Sequence, residues 1–182
     1  LSAKLTTVNL KKMSDVDIEI LKEFQTESKD LINQMMDILE LCEQANAQEQ
    51  SLEQYGQLVD RIMGGAKSLA LQVQKDHLIH KIGDYAAICK AVGYKASQLK
   101  NNHQFFEICV ALLLDATEML ILMIDSITIA TKVEIKDLLS KTFLDRLRWV
   151  SDQFGTEYRA SVDVKKGQEA KKMDQSEIDD LL

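Results

Sequence analysis

Asp30 and Gln34 stand in the run Asp30-Leu31-Ile32-Asn33-Gln34, and on a helix residues i and i+4 share a face. A side-chain amide can accept from water and donate to a phosphoryl group, and positioning is much of phosphoryl-transfer catalysis. His77 and His80, one turn apart with Asp76 and Asp84 nearby, could share a metal ion. Nothing else in the sequence completes a ligand set, so no metal is expected on this chain. Cys42, Cys89 and Cys109 lie far apart among apolar neighbours. They are expected as reduced core thiols of a cytoplasmic protein, not as a disulfide framework. No Cys-x-x-Cys, Walker loop, GxGxxG or G-x-S-x-G occurs, so the common phosphate-loop and serine-hydrolase signatures are absent.

The segment DQSEIDDLL, residues 174–182, is the most distinctive peptide. Ser176 can cap one or two helical turns in which Ile178, Leu181 and Leu182 share a face. So short a segment cannot hold a helix alone in water, and a groove on a partner would supply the missing surface. The plainer reading is a solvated charged tail that happens to end in two leucines. Residues 156–173, TEYRASVDVKKGQEAKKM, are hydrophilic without a sustained seam and are expected to be a flexible linker.

The elements that must position these groups are helices. The 182 residues contain no proline, where usage of about 5% would give roughly nine, and only seven glycines. An all-β or doubly wound fold is excluded by that scarcity of turn punctuation. After a flexible lead-in, 1–13, Ser14 followed by Asp15 and Asp17 reads as a helix start. The first helix is expected over about 15–46, on a seam of Leu21, Phe24, Ser28, Leu31, Met35, Ile38 and Cys42. Further helices are expected over about 51–73, over 77–100 with Asp76 as its cap, over 104–131, and over 134–155. The result is one domain, 14–155: an all-α antiparallel bundle of about five helices with a four-helix core.

The fourth helix is apolar on most sides, with a thin polar stripe of Glu107, Asp115, Glu118 and Asp125. Such a helix is either central in a bundle or shared with a second subunit, so a homodimer through it is a possible arrangement. It is too interrupted for a membrane span, which wants about 20 apolar residues. A net charge of −7, from 22 basic and 29 acidic residues, argues against nucleic acid and against an anionic membrane surface. The chain starts at Leu1, which fits a trimmed N-terminus and leaves a removed signal open.

Two resemblances converge on one class of partner. QSEIDDLL resembles the C-terminal CheY-docking peptide of the CheZ family of chemotaxis phosphatases, and is similar to the N-terminal CheY-binding peptide of the flagellar switch protein FliM. The CheZ family also carries an Asp-x-x-x-Gln pair in a DLTGQ segment, matched here by Asp30-Leu31-Ile32-Asn33-Gln34, with Ile32 and Asn33 in place of Thr and Gly. The resemblance implies that Gln34 orients water against a receiver's aspartyl phosphate and that Asp30 pairs with the lysine beside it. It also implies that Ser176, Glu177, Ile178, Asp179, Asp180, Leu181 and Leu182 dock the receiver, which brings its own Mg²⁺.

RIMGGAKSLAL, in the second helix, resembles the core of histidine phosphotransfer domains, roughly His-x-x-Lys-Gly. Lys67 matches the family lysine, Gly64 stands where the phosphorylated histidine would be, and Ser68 replaces the glycine. Without the histidine, the resemblance implies an adaptor that binds a receiver but carries no phosphate. The bland reading of Gly64-Gly65 is a tight helix crossing or a bend. The expected function is a phosphatase of phosphorylated CheY-like response regulators, with the linker reaching roughly 24 Å to tether the receiver beside the first helix. The runner-up is the non-catalytic adaptor. A helical assembly protein unrelated to signalling is the third reading.

Overall fold

A computed structural model describes residues 2–44, 49–73, 75–127, 141–158 and 160. They form five helices: α1 (Ser2–Cys42), α2 (Ser51–Ala70), α3 (Leu78–Ala96), α4 (His103–Asp125) and α5 (Lys141–Gln153), with no strand among the described residues. The chain is an all-α bundle. α1 packs on α2 and α4, and α3 packs on the same two, which closes a four-helix ring; α5 lies against α4 outside it.

The ring follows from apolar stripes at helical period. Every residue of the expected α1 seam is buried, including Ser28; of Ile18, Ile32 and Leu39, expected to widen it, Ile32 and Leu39 are buried and Ile18 is only partly so. Leu52, Tyr55, Val59, Ile62 and Ala66 do the same on α2, as do Ile82, Tyr85, Cys89 and Val92 on α3. Across the α2–α3 interface Asp60 pairs with Lys90, Gly56 faces Tyr94 and Lys67 lies on Gly83. Numbers rise on one helix as they fall on the other, so the two run antiparallel. α4 buries Phe106, Cys109, Leu113, Ala116, Leu120 and Met123 while touching α1, α3 and α5. Three neighbours within one chain account for its apolar composition.

Three boundaries differ from expectation. α1 is helical from Ser2, so residues 2–13 are not the irregular lead-in expected, and Ser14 is inside the helix instead of capping it. SAKLTTVNLKKM holds neither glycine nor proline, so nothing in it stops a helix. α3 is capped by His77 and not by Asp76: His77 is extended at φ −73°, ψ 141°, and its Nδ1 accepts from the Ile79 N–H at 3.2 Å. A neutral imidazole nitrogen can fill the role usually taken by a short oxygen side chain. Tyr158, expected in the linker, packs edge-on against Phe154 at 5.5 Å and so belongs with the bundle. The segment 128–140, which held the expected ends of the fourth and fifth helices, lies outside the described residues.

A close contact in the core is a reciprocal exchange between α2 and α3. The Tyr94 ring covers Gly56 and the Tyr55 ring covers Gly93; a Cβ at those glycines would lie 2.9 Å and 2.8 Å from ring carbons. The Tyr55 hydroxyl then reaches α4, 3.0 Å from Thr117 Oγ1. Thr117 spends its one proton on the Leu113 carbonyl at 2.7 Å, so Tyr55 is the donor. The Tyr85 hydroxyl donates to the Ala116 carbonyl at 3.1 Å. Burial pushes both phenols well above their ordinary range, with Cys89 adding to the effect. Gly93→Ala must displace a pinned ring, at a cost of about 1–3 kcal/mol that outweighs the gain in helix propensity. Chemical denaturation of the variant is expected to show a lower midpoint at unchanged slope; an unchanged midpoint would mean the ring is not pinned.

Candidate functional site

The pattern of α1 places Leu31, Ile32 and Met35 in the core and leaves Asp30, Asn33, Gln34 and Asp37 exposed. Asp30 and Gln34 therefore stand together on the outer face of the bundle. The Gln34 side-chain nitrogen donates to the Asp30 backbone carbonyl at 3.2 Å, which leaves its second N–H and its carbonyl oxygen for other partners. An exposed bond of this kind is worth about 1 kcal/mol or less and is easily exchanged. Interhelical ion pairs flank the two residues: Glu27 with Arg61 of α2 at 2.8 Å, and Lys29 with Asp125 of α4. A convex helix face of this sort can enter a cleft on another protein; it cannot enclose a small molecule.

The Gly64-Gly65 pair separates into two different positions. At Gly65 a Cβ would lie 3.0 Å from the Phe24 ring of α1, so this glycine does serve a close helix crossing. At Gly64 a Cβ would meet nothing within 4 Å, and the residue is exposed beside Arg61, Lys67 and Ser68. Crossing geometry thus accounts for one glycine and not for the other. Lys67 runs its stem along Gly83 of α3, its Cγ 3.2 Å from where a Cβ there would sit, which orients the side chain along the surface.

The other candidate groups are structural. His77 is buried and caps α3, and among the described residues no group of three His, Cys, Asp or Glu side chains could hold a metal ion. All three cysteines are free and buried. Burial pushes the Cys42 thiol up to about 11 and the Cys89 and Cys109 thiols to about 12, which removes them as nucleophiles at neutral pH. The peptide from Ser176 to Leu182 lies outside the described residues.

One surface had been missed by the sequence reading. Between α4 and α5 an open groove of about 330 Å³ is lined by Asn102, Gln104, Phe105, Ile108, Trp149 and Gln153. Trp149 is 49% exposed there, edge-on to Phe105 at 6.3 Å. In the sequence Trp149 stands beside the α5 seam of Phe143, Leu147 and Val150, but a single aromatic off a seam does not announce a groove. None of the described helices is long and apolar enough to cross a membrane.

No protein-family model, curated protein or solved structure matches the chain. Gly64 carries a direct consequence of its open surroundings: Gly64→Ala is expected to stabilise the protein by about 0.5–1 kcal/mol, the ordinary gain of alanine over glycine inside a helix. Thermal unfolding of Gly64→Ala beside Gly65→Ala checks this, with the smaller gain, or a loss, at Gly65. Equal effects at the two sites would show that the surroundings of Gly64 are not open.

Proposed function

We propose that this chain binds a phosphorylated CheY-like response regulator and accelerates hydrolysis of its aspartyl phosphate. The observation that carries the reading is the placement of Asp30 and Gln34 on one exposed turn of α1, outside the core and clear of the interhelical ion pairs. A receiver presents its phosphoaspartate in a cleft with a bound Mg²⁺, so a projecting amide suits it. Gln34 would hold the attacking water in line, and Asp30 would pair with the receiver's lysine. The chemistry needs no group on this chain to break a bond, only to fix geometry. Residues 176–182 would tether the receiver and raise its concentration near α1.

Loss of phosphate from a phosphorylated CheY-type receiver in Mg²⁺ tests the reading. Intact protein should accelerate it, and Gln34→Ala should remove about 10²-fold of that acceleration, the scale on which lost positioning acts, while binding persists. Ending the chain at Met173 should weaken both. Binding without acceleration would sink the enzyme and leave an adaptor; neither binding nor acceleration would sink both.

The adaptor reading is favoured by Gly64 specifically, because the position aligned with the phosphotransfer histidine is exposed and unobstructed with Lys67 beside it. On that reading the bundle keeps a phosphotransfer domain's docking face and has lost its acceptor. Gly64→His should then take phosphate from a phosphorylated receiver, read as acid-labile, base-stable label on this chain. Absence of label from a variant that still binds the receiver would overturn the adaptor reading.

A further inference from the structure

The exposed residues around Gln34 on α1, which are Asp30, Asn33 and Asp37, are too few for a stable protein interface. Such an interface takes about 800 Å² and about 20–30 residues a side. A receiver seated on Gln34 must therefore lean on a second helix, and α1 has two neighbours in the ring, α2 and α4. The direction of Gln34 chooses between them. Residues seven apart on a helix fall on nearly one line, and Gln34 continues the line of Glu27, which reaches across to Arg61 of α2 at 2.8 Å. The contacts to α4 leave from the other side of α1, where Gln25 donates to the Ile124 carbonyl at 2.8 Å and Lys29 pairs with Asp125. Gln34 thus stands on the α2 edge of the outer face.

α2 runs antiparallel to α1: Arg61 meets Glu27, and Gly65, one turn on, meets Phe24, one turn back. Carried the other way from Arg61, the same register sets Gln57 beside the turn from Asp30 to Gln34 and Gln54 level with Gln34. Both glutamines are exposed, whereas Tyr55 and Leu58 next to them are buried. Gln54, Gln57, Arg61, Gly64 and Ser68 follow at spacings of three and four, so they make one exposed line along α2. The two lines differ in charge. The line through Gln34 holds Glu23, Glu27, Asp30 and Asp37, while the exposed residues of α2 include no acid and do include Arg61 and Lys67. A phosphorylated receiver matches that division, because it brings a lysine and Mg²⁺ beside an anionic phosphoryl group and the carboxylates that hold the metal.

We infer that the receiver docks across the α1–α2 seam, with Gln54 and Gln57 of α2 as specificity-determining contacts beside Asp30 and Gln34. Amides suit that role, since each can donate and accept without adding charge between the acidic and the basic line. The inference rests on the reading of Asp30 and Gln34 as the receiver's site, and it adds the second half of the footprint. It also puts Gly64 on the same surface, so the enzymatic and the adaptor readings call for one docking face.

Burial holds Cys42, Cys89 and Cys109 unreactive, so a cysteine added at the surface is the one thiol of this chain that alkylates quickly at neutral pH. Gln57→Cys and Leu122→Cys are compared in the full chain. Leu122 is 50% exposed on α4, one turn before the Asp125 that pairs with Lys29, and marks the other side of α1. Each is combined with Gln34→Ala, so that the phosphoryl group stays in place. Labelling by N-ethylmaleimide is followed by the mass of this chain, with and without excess phosphorylated CheY-type receiver in Mg²⁺, and binding is measured on the same samples by sedimentation. The receiver is expected to slow labelling of Gln57→Cys about fivefold or more and to leave Leu122→Cys unchanged. Loss of binding in the Gln57→Cys chain alone would support the inference equally. Protection of Leu122→Cys, or of neither cysteine while the receiver is bound, would overturn the inference and leave receiver binding standing. A receiver that binds neither chain overturns the inference together with the reading beneath it.

Discussion

Two tyrosines laid on two glycines set the spacing of the bundle. With Tyr55 over Gly93 and Tyr94 over Gly56, α2 and α3 approach until ring carbons meet the opposing backbone. That approach brings the Tyr55 hydroxyl to Thr117, and the Tyr85 hydroxyl to the Ala116 carbonyl, on adjacent residues of α4. Three helices are thus tied in register by buried phenol hydrogen bonds from α2 and α3 to α4. A buried phenol without a partner costs several times what a formed bond contributes, so a slip by one turn is penalised at both tyrosines together.

The surface inherits that rigidity. Because α2 is seated on α3, its exposed stripe has a fixed direction, with Arg61 toward α1, Lys67 along Gly83 and Gly64 open between them. Because α1 closes the ring between α2 and α4, held by Gln25 donating to the Ile124 carbonyl at 2.8 Å, its outer face carries Asp30 and Gln34 away from every neighbour. A projecting pair on a stiff helix suits insertion into another protein's cleft, where precision comes from the scaffold and not from a pocket around the residues. The same outward placement on α2 keeps the adaptor reading in play beside the enzymatic one. Both place the chemistry on the partner and ask this chain for shape and position.

α5 is attached differently. It sits outside the ring, joined to α4 by the Phe105–Phe154 contact, Leu147 and Val150 in the core, and the exposed pair of Arg146 with Asp115 at 2.6 Å. Packing one helix on the outside of a closed bundle leaves a seam on each of its sides. One of these seams is the groove that exposes Trp149.

Helical class, the stripes and the core lists were legible in the sequence because a helix writes its buried face into a local period, as the α1 seam from Leu21 to Cys42 shows. Asp30 and Gln34 fall beside that seam, which allowed their exposure without deciding it; the packing around α1 leaves both exposed. Periodicity says which face is covered but not what covers it or how closely. Gly64 and Gly65 are neighbours of one type, and only the position of Phe24 on another helix makes one a contact and the other a window. Gly56 and Gly93 drew no notice in sequence, since the tyrosines that need them lie across an interface. His77 became a cap because the backbone turned before it, and the α4–α5 groove exists only between elements separated in the chain. Local composition determined the helices; the distances between them, which only packing fixes, decided which residues are scaffold and which are surface.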